Sequence, residues 1–180
     1  GLTLEINGHE MASRLVGKFN AYNLLVAYAV GKYLGQDELS LLTILSSVKA
    51  PQGRFEYFLS DQKITAVIDY AHTPDALENV LKTILDLKKG KEKVITVFGC
   101  GGNRDKGKRP LMGEIASRLS DQVLITSDNP RSEDPDSIIN EIYHGVPSVL
   151  KEKVFTVTDR MEAIEMACNI ASGGDIILIA

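Results

Sequence analysis

The chain has 180 residues, of which 44% are hydrophobic and 24% are charged, and its formal net charge is −4 at pH 7. This length suits one ordinary domain plus an additional segment, with enough apolar residues for a real core. The negative charge argues against a nucleic-acid-binding protein, and no signal peptide or membrane-spanning run is visible. Two cysteines, Cys100 and Cys168, indicate neither a disulfide framework nor a zinc site, so a reducing cytoplasm is the simplest setting.

Residues 1–50 have the pattern of a short hairpin followed by two helices. Two strands and two helices are too few to enclose a core, so we expect this part to be the end of a larger domain that begins outside the sequence. We place a domain boundary at Pro51-Gln52-Gly53, and expect residues 51–180 to be a second domain that is truncated at its end. The predicted elements of the first part are strands over 2–7 and 12–16 joined through Gly8-His9-Glu10, a helix capped by Asn20 that runs to Leu34 and is ended by Gly35, and a helix over 37–48.

From Ile64 onward, short β-branched runs alternate with amphipathic stretches, which is typical of parallel βαβ units in an α/β fold. Each run is short and apolar enough to be a strand covered on both faces. Helix starts are indicated by Thr73-Pro74, by Asp134-Pro135 and by the capping-box spacing from Asp159 to Glu162. The predicted strands are 64–68, 94–98, 123–126, 154–157 and 175–179.

The loops that follow these strands carry most of the unusual polar residues. In an open parallel sheet, ligands bind in the crevice outside the carboxyl ends of the strands, so we expect these loops to converge. They are Asp69 to His72, Gly99 to Lys106, Asp128-Asn129-Pro130-Arg131 and Thr158 to Arg160.

The tetrad Asp128-Asn129-Pro130-Arg131 follows a predicted buried strand directly. An arginine fork matches a carboxylate, and a neighbouring amide and carboxylate can bind the ammonium and carboxylate of an amino acid. The tetrad therefore indicates a pocket for a zwitterion. An equally good interpretation is a turn that Asp128 caps and Pro130 stiffens, with Arg131 in solvent.

The glycine loop fits neither of the common nucleotide motifs. Residues 102–109 have P-loop spacing, but Arg109 occupies the place of the hydroxyl residue that would hold magnesium, and residues 99–104 lack the last glycine of the dinucleotide fingerprint. The remaining interpretations are a turn whose basic residues bind anionic groups, and a tight strand-to-helix turn with solvated basic residues. The basic residues are Arg104, Lys106, Lys108 and Arg109.

His72 and Cys100 are the other candidates for chemistry. His72 follows a strand and precedes a helix, so it is either a contact or acid/base residue or a satisfied loop histidine. Cys100 has no histidine close in sequence, which favours a buried and inert thiol.

Five stretches together resemble the Mur ligase family, and within it the members that add meso-diaminopimelate. The resemblance covers nearly the whole chain, and its last two stretches are the most specific. The stretches are Gly17-Lys18-Phe19-Asn20-Ala21-Tyr22-Asn23, Gly53-Arg54-Phe55-Glu56, Asp69-Tyr70-Ala71-His72-Thr73-Pro74, Phe98 to Gly113 and Asp128 to Arg131.

The resemblance implies a cytoplasmic, ATP-dependent ligase of peptidoglycan synthesis with three domains. In that family, ATP phosphorylates the terminal carboxylate of UDP-N-acetylmuramoyl-L-alanyl-D-glutamate, and the amine of meso-diaminopimelate attacks the acyl phosphate. Residues 1–50 would be the end of the central ATP-binding domain, and residues 51–180 a Rossmann-like C-terminal domain. Because ATP and Mg²⁺ need the rest of the central domain, the chain alone is predicted to be inactive, with no catalytic residue and no metal ligand of its own.

The resemblance also implies the site residues. Asn103 departs from it, because the family usually has an aspartate at this position. The implied meso-diaminopimelate contacts are Arg104, Asp128, Asn129, Pro130 and Arg131, and the implied ATP contacts are Asn20, Asn23, Arg54, Asp69 and His72.

Two other functions remain open. One is a lysine-adding ligase of the same family. Arg131 argues against it, because an arginine there favours an incoming amino acid with a second carboxylate, which lysine lacks. A non-catalytic module that binds nucleotides or sugar phosphates would use the same sheet edge without the other domains. A pure interaction domain leaves the polar loops without a role.

Overall fold

The computed structural model describes all 180 residues, which form two compact units, residues 1–52 and residues 53–180. The first unit contains strands β1 and β2 and helices α1 and α2. The second contains strands β3 to β8 and helices α3 to α6. None of the helices is long and apolar enough to cross a membrane.

The first unit opens with a hairpin of β1 (Leu2–Ile6) and β2 (His9–Ser13), in which Ile6 pairs with His9. The predicted second strand, 12–16, was therefore placed too late. Asn7 and Gly8 both have positive φ, 50° and 79°, as a two-residue hairpin turn requires. The Asn-Gly pair was the sequence signal for this turn, and it fixes the register that the prediction missed.

Helix α1 (Lys18–Tyr33) begins earlier than predicted, with Gly17 as its N-cap. Asn20 is not the cap, because it lies in the first turn and its Nδ2 donates to the carbonyl of Val16 at 2.7 Å. The predicted end is confirmed, since Gly35 follows the helix with φ 78°. Helix α2 (Glu38–Ser47) is capped by Asp37, whose carboxylate accepts from Ser40 N at 2.9 Å.

Contrary to the expectation that two strands and two helices are too few to enclose a core, the first unit encloses a small one, and it leaves much apolar surface exposed. Six side chains form its buried cluster, namely Ile6, Met11, Leu15, Leu24, Leu42 and Leu45. Large apolar side chains remain exposed on the two helices, among them Tyr22, Val26, Val30, Tyr33, Leu39 and Ile44.

The second unit is built on one six-stranded sheet with the order β3-β4-β8-β5-β6-β7. All neighbours from β4 to β7 are parallel, which confirms the five predicted strands. The sixth strand, β3, was not predicted, and it pairs antiparallel with β4 at the edge. The strands are β3 (Glu56–Leu59), β4 (Thr65–Ile68), β5 (Val94–Phe98), β6 (Gln122–Ile125), β7 (Val154–Thr156) and β8 (Ile176–Ile179).

The expectation that every strand is covered on both faces holds for the centre of the sheet and is wrong at its edge. All five residues of β5 are buried, whereas Phe155 and Thr156 of β7 are exposed. β7 is the last strand of the sheet, so it has no neighbour on one side, and a run of apolar residues alone does not reveal that position.

Helices cover both faces of this sheet. The buried cluster on one face joins Ile95 and Val97 of β5 to Ala163 and Ala167 of α6. The remaining three helices pack side by side, α3 against α4 and α4 against α5, over the residues of β5 that point the other way. The helices are α3 (Pro74–Leu87), α4 (Lys108–Leu119), α5 (Pro135–His144) and α6 (Arg160–Ile170), and a 3-10 helix covers Ser148–Lys153.

The predicted helix starts are confirmed. Thr73 Oγ1 accepts from Ala76 N, Asp134 Oδ2 accepts from Ser137 N, and Asp159 Oδ1 accepts from the amides of Met161 and Glu162. These caps satisfy amides that have no partner inside the helix. Each cap lies in the loop that follows a parallel strand, so the helix starts lie towards the sheet edge at which these strands end.

Candidate functional site

Two loops at the carboxyl edge of the sheet interlock, the glycine loop after β5 and the loop after β6. Gly102 N donates to the carbonyl of Asn129 at 2.8 Å. A Cβ atom on Gly102 would lie 1.9 Å from the carbonyl oxygen of Pro130, and one on Gly99 would lie 2.4 Å from that of Thr126. The glycines are thus required because the second loop lies directly against the first loop's backbone.

Gly101 is the point at which the predicted amino-acid contacts meet. A Cβ atom built on Gly101 would lie 3.0 Å from Arg131 Nη1, 3.6 Å from the carbonyl oxygen of Asn129 and 4.0 Å from Arg104 Cγ. Arg104 and Arg131, 27 positions apart in sequence, therefore flank the same glycine. The fold therefore brings the side chains of two residues that are distant in sequence to the same glycine.

The side chains that the two loops present make few hydrogen bonds or ion pairs inside the protein. The side chains of Arg104, Asp128 and Asn129 are exposed and form no hydrogen bond or ion pair within the chain. Arg131 donates from Nη1 to the carbonyl of Gly102 at 2.7 Å, which orients its guanidinium and leaves Nε and Nη2 without a partner. Because Asp128 makes no side-chain hydrogen bond, the alternative in which it caps a turn is not what the structure contains.

Arg109 fits neither of the two interpretations of the basic residues, because it neither binds an anionic ligand at the surface nor lies in solvent. Its side chain is 0% exposed and pairs with Glu133 at 3.0 Å and with Glu141 at 2.8 Å. Lys106 pairs with Glu133 at 3.1 Å, and Lys108 Nζ donates to the carbonyl of His72 at 2.6 Å. A buried arginine needs charged partners, and these carboxylates lie 24 and 32 positions away, so local spacing could not reveal them.

Glu133 is the residue of this region that the sequence analysis missed. Its Oε1 accepts from the backbone amide of Asn103 and from Arg109 Nη2, and its Oε2 accepts from Arg109 Nη1. The hydrogen bonds from Arg109, together with the amide of Asn103, lower the pKa of Glu133 to about 2. Its position two residues after the tetrad was the only available signal.

A second cluster lies after β4 and contains three of the predicted ATP contacts. The guanidinium of Arg54 stacks on the ring of Tyr70 at 4.8 Å, and His72 Nδ1 lies 3.1 Å from the carbonyl of Tyr70. Asp69 accepts from the amide of Phe55 at 2.8 Å, and burial raises the pKa of this carboxyl. The bond between Lys108 and the carbonyl of His72 ties this cluster to the glycine loop.

The other two predicted ATP contacts, Asn20 and Asn23, lie in the first unit. They are neighbours on successive turns of α1, and Asn23 Nδ2 donates to Asn20 Oδ1 at 3.1 Å. Asn23 is exposed, whereas Asn20 is half-buried and is held by the carbonyl of Val16.

The remaining chemical candidates do not form a centre. Cys100 is buried with its Sγ 3.6 Å from Met112 Sδ, and burial raises the pKa of its thiol to about 11. A neutral thiol is a poor nucleophile, as predicted. No group of three histidine, cysteine, aspartate or glutamate side chains is placed to hold a metal ion.

Comparison with known proteins places these features in context. Residues 53–180 match the family model described as Mur ligase, glutamate ligase domain. The chain is 54% identical over 180 residues to a protein of Cytophaga hutchinsonii named UDP-N-acetylmuramoyl-L-alanyl-D-glutamate--2,6-diaminopimelate ligase, and 51% identical to a protein of the same name from Bacteroides fragilis. In both cases all of the chain aligns, and it spans 37% of the relative's length.

Solved structures show the same fold. A structure of a UDP-N-acetylmuramoyl-L-alanyl-D-glutamate--2,6-diaminopimelate ligase matches with a TM-score of 0.67 and 37% identity, over 99% of this chain and 36% of that one. A pseudomurein peptide ligase type C from Methanothermus fervidus matches with a TM-score of 0.74 over 98% of this chain, at 24% identity.

Proposed function

The chain belongs to the Mur ligase family, and on that premise we propose that it supplies the amino-acid-binding part of a ligase that adds meso-diaminopimelate to UDP-N-acetylmuramoyl-L-alanyl-D-glutamate. Residues 53–180 present the incoming amino acid, and residues 1–52 are the end of the central ATP-binding domain. Because the chain spans 37% of its relatives' length, the complete reaction belongs to the longer protein.

The observation that carries this proposal is that four side chains with few or no bonds inside the protein extend from the two interlocked loops. Arg104 and Arg131 supply guanidinium donors for a carboxylate, and Asp128 and the Asn129 amide supply acceptors for an ammonium group. These groups extend from loops that lie against each other at a close backbone contact, so the loop backbone loses little conformational entropy when a ligand binds. Meso-diaminopimelate has an amino-acid head at each end, and one head fits this set while the other stays free to react.

ATP is proposed as the second small molecule, at the cluster after β4. Arg54 stacks on Tyr70 and carries a charge suited to phosphate, while Asp69 and His72 lie on the same short loop. ATP supplies the phosphoryl group that activates the acceptor carboxylate. Asn20 and Asn23 pair on α1 and are proposed as nucleotide contacts of the first unit. Mg²⁺ is proposed to accompany ATP and to need the rest of the central domain.

A cytoplasmic location is proposed with this function. Both cysteines are free, which suits a reducing compartment. The proposed reaction consumes ATP and a nucleotide-linked substrate, which also favours a cytoplasmic location.

Calorimetry with meso-diaminopimelate tests the amino-acid site. Arg131→Ala removes a charge-assisted contact, so we expect binding to weaken by about ten- to a hundredfold, which corresponds to roughly 1.5–3 kcal/mol. Arg118→Ala is the matched control, because Arg118 is an exposed arginine that pairs only with Glu114 in the last turn of α4. Equal affinities for wild type and Arg131→Ala would exclude the proposed site.

A lysine-adding ligase is the alternative within the family. Lysine has a single amino-acid head, so a lysine held with that head free to react would leave the guanidinium groups of Arg104 and Arg131 without a carboxylate partner. Titration of both amino acids into the same preparation distinguishes the two. Tighter binding of lysine would replace the present proposal by the alternative.

A further inference from the structure

We infer that Glu133 is a positioning residue for the amino-acid site. It holds the loops of Arg104 and Arg131 at a fixed separation, and it neutralises the nearby positive charges of Arg109 and Lys106, which would otherwise compete for an anionic ligand. This inference rests on the proposed function, since it concerns how the same site selects a carboxylate-bearing ligand. Glu133 itself lies behind the loops, and its role is exerted through Asn103, Arg109 and Lys106.

Both loops contain a residue in a costly backbone conformation. Asn103, next to Arg104, has φ 53°, and Arg131 has φ 52°. The left-handed region costs a non-glycine residue about 1 kcal/mol or more, less for asparagine than for arginine. Such conformations persist only where surrounding contacts hold them. The positions of Arg104 and Arg131 therefore depend on what lies beneath the loops.

Contacts from Asn103 hold the two loops together at this point. Its side chain exchanges hydrogen bonds with the hydroxyl of Ser132, at 2.9 Å from Nδ2 and 3.0 Å to Oδ1. Its backbone amide donates to Glu133 Oε1. The residue that precedes Arg104 is thus bonded to the two residues that follow Arg131, which fixes the separation of the two arginines.

Glu133 is in turn anchored from the protein interior. Its carboxylate accepts a hydrogen bond from each Nη atom of Arg109, both at 3.0 Å. This bidentate geometry gives strong and directional pairing. Arg109 is fully buried and is held on its other side by Glu141 of α5. Glu133 therefore joins the site loops to α4 through Arg109. Glu141 joins α4 to α5 through the same arginine, and it reaches the glycine loop only through an ion pair with Lys106 at 3.9 Å.

The same contacts decide which positive charges face the ligand. Glu133 pairs with Arg109 and Lys106, and Lys108 is bonded to the carbonyl of His72. Five basic residues lie in these two loops and at the start of α4, and among them Arg104 and Arg131 are the ones with exposed guanidinium donors that lack a partner, since the one unpaired donor of Arg109, Nε, is buried. A surface with five unpaired cationic side chains would bind many kinds of polyanion. Two guanidinium groups in fixed positions instead select a ligand with a single carboxylate between them.

The contrast between Glu133 and Glu141 provides the test. Glu133→Gln and Glu141→Gln each remove one carboxylate partner of Arg109, and both carboxylates lie within 4 Å of Lys106 Nζ, but only Glu133 accepts a hydrogen bond from the backbone of the glycine loop. We expect Glu133→Gln to weaken meso-diaminopimelate binding at least about tenfold, and Glu141→Gln to change it less than about threefold. Equal effects of the two variants would overturn the inference.

Selectivity separates positioning from a loss of folded protein. A smaller folded fraction lowers the apparent affinity for meso-diaminopimelate and for lysine by the same factor, so their ratio stays constant. A displaced pair of arginines lowers the affinity for meso-diaminopimelate alone, so we expect the ratio to fall in Glu133→Gln. An unchanged ratio contradicts a positioning role.

Two further measurements keep the inference open to disproof. If Glu133→Gln does not fold, Asn103→Gly removes the pairing with Ser132 while glycine still accepts the positive φ. The ratio of the affinities for meso-diaminopimelate and lysine is expected to fall in this variant as well.

If wild type does not bind the amino acid, the proposed function fails. NMR relaxation of the Arg131 Nε–H group in Glu133→Gln and Glu141→Gln then decides the positioning role separately. We expect a larger loss of order in Glu133→Gln, and equal order in the two variants would refute that role.

Discussion

At the scale of single residues, the site depends on glycines that let two loops touch. Gly99 and Gly102 each have a carbonyl oxygen of the other loop where a Cβ atom would lie. The charged residues nearby divide into two groups, those that hold the loops and those that face solvent. Glu133 and Arg109 belong to the first group, and Arg104 and Asp128 to the second.

Gly102→Ala is expected to destabilise the protein by roughly 1–3 kcal/mol, because its Cβ atom would lie 1.9 Å from the carbonyl oxygen of Pro130 and the backbone must move. Urea denaturation of both proteins measures the difference. Gly90→Ala is the control, since its Cβ atom would meet only Glu92 Oε2 at 3.6 Å and should change the free energy of unfolding by less than about 0.5 kcal/mol. Similar midpoints for Gly102→Ala and Gly90→Ala would mean that the loops are not in contact.

Glu133 also makes stability depend on pH. Its folded pKa of about 2 lies below the unfolded value of about 4.3, so its stabilising contribution is present above pH 4.3 and is lost as the pH falls towards 2. We expect the free energy of unfolding to decline across this window in wild type, and the decline to be smaller in Glu133→Gln. Identical pH profiles for the two proteins would contradict the ion pair with Arg109.

At the scale of elements, capped helices follow the strands at the ligand edge of the sheet. The cap of α5 connects the tetrad loop to the helix that carries Glu141, because Asp134 Oδ2 accepts from both the amide and the hydroxyl of Ser137 at 2.9 Å. These caps were readable in the sequence because capping is a local interaction.

Asp134→Ala should therefore cost about 1 kcal/mol in the free energy of unfolding, since the amide of Ser137 loses its acceptor. Asp134→Asn is the matched control, because an asparagine side chain caps a helix about as well. Thermal and urea denaturation measure both variants. A loss of the same size in Asp134→Asn would show that charge, and not the cap, is responsible.

At the scale of the whole molecule, the two units differ in how much core they contain. Residues 1–52 bury a cluster of six apolar side chains, whereas β5 of the second unit is buried along its whole length. Local stability follows the amount of buried apolar contact, so the first unit should open more easily.

Native-state hydrogen exchange measures this difference. We expect amides of α1 to exchange through openings of lower free energy than amides of β5, because exposed residues such as Val26 and Val30 contribute little burial to α1. Amides of β6, another buried strand of the second unit, serve as an internal reference. Equal opening free energies in α1 and β5 would indicate a single cooperative unit.

The sequence by itself determined the local features of this protein. The five parallel strands, the helix caps at Thr73, Asp134 and Asp159, and the inert thiol of Cys100 follow from composition and spacing over a few residues. The residues proposed to bind the amino acid were named from the tetrad and from the resemblance to a family. The hairpin register is also determined by a local signal, the Asn7-Gly8 pair in the turn, although the prediction missed it.

Only the tertiary structure decided which charged residues are available to a ligand. Arg104 and Arg109 look alike in sequence, yet one lies in solvent and the other is 0% exposed between Glu133 and Glu141. Strand order likewise decided that β7 is an edge and that β3 joins the sheet. The physical reason is the same in both cases, since pairing between distant segments depends on chain topology, which no local pattern of residues contains.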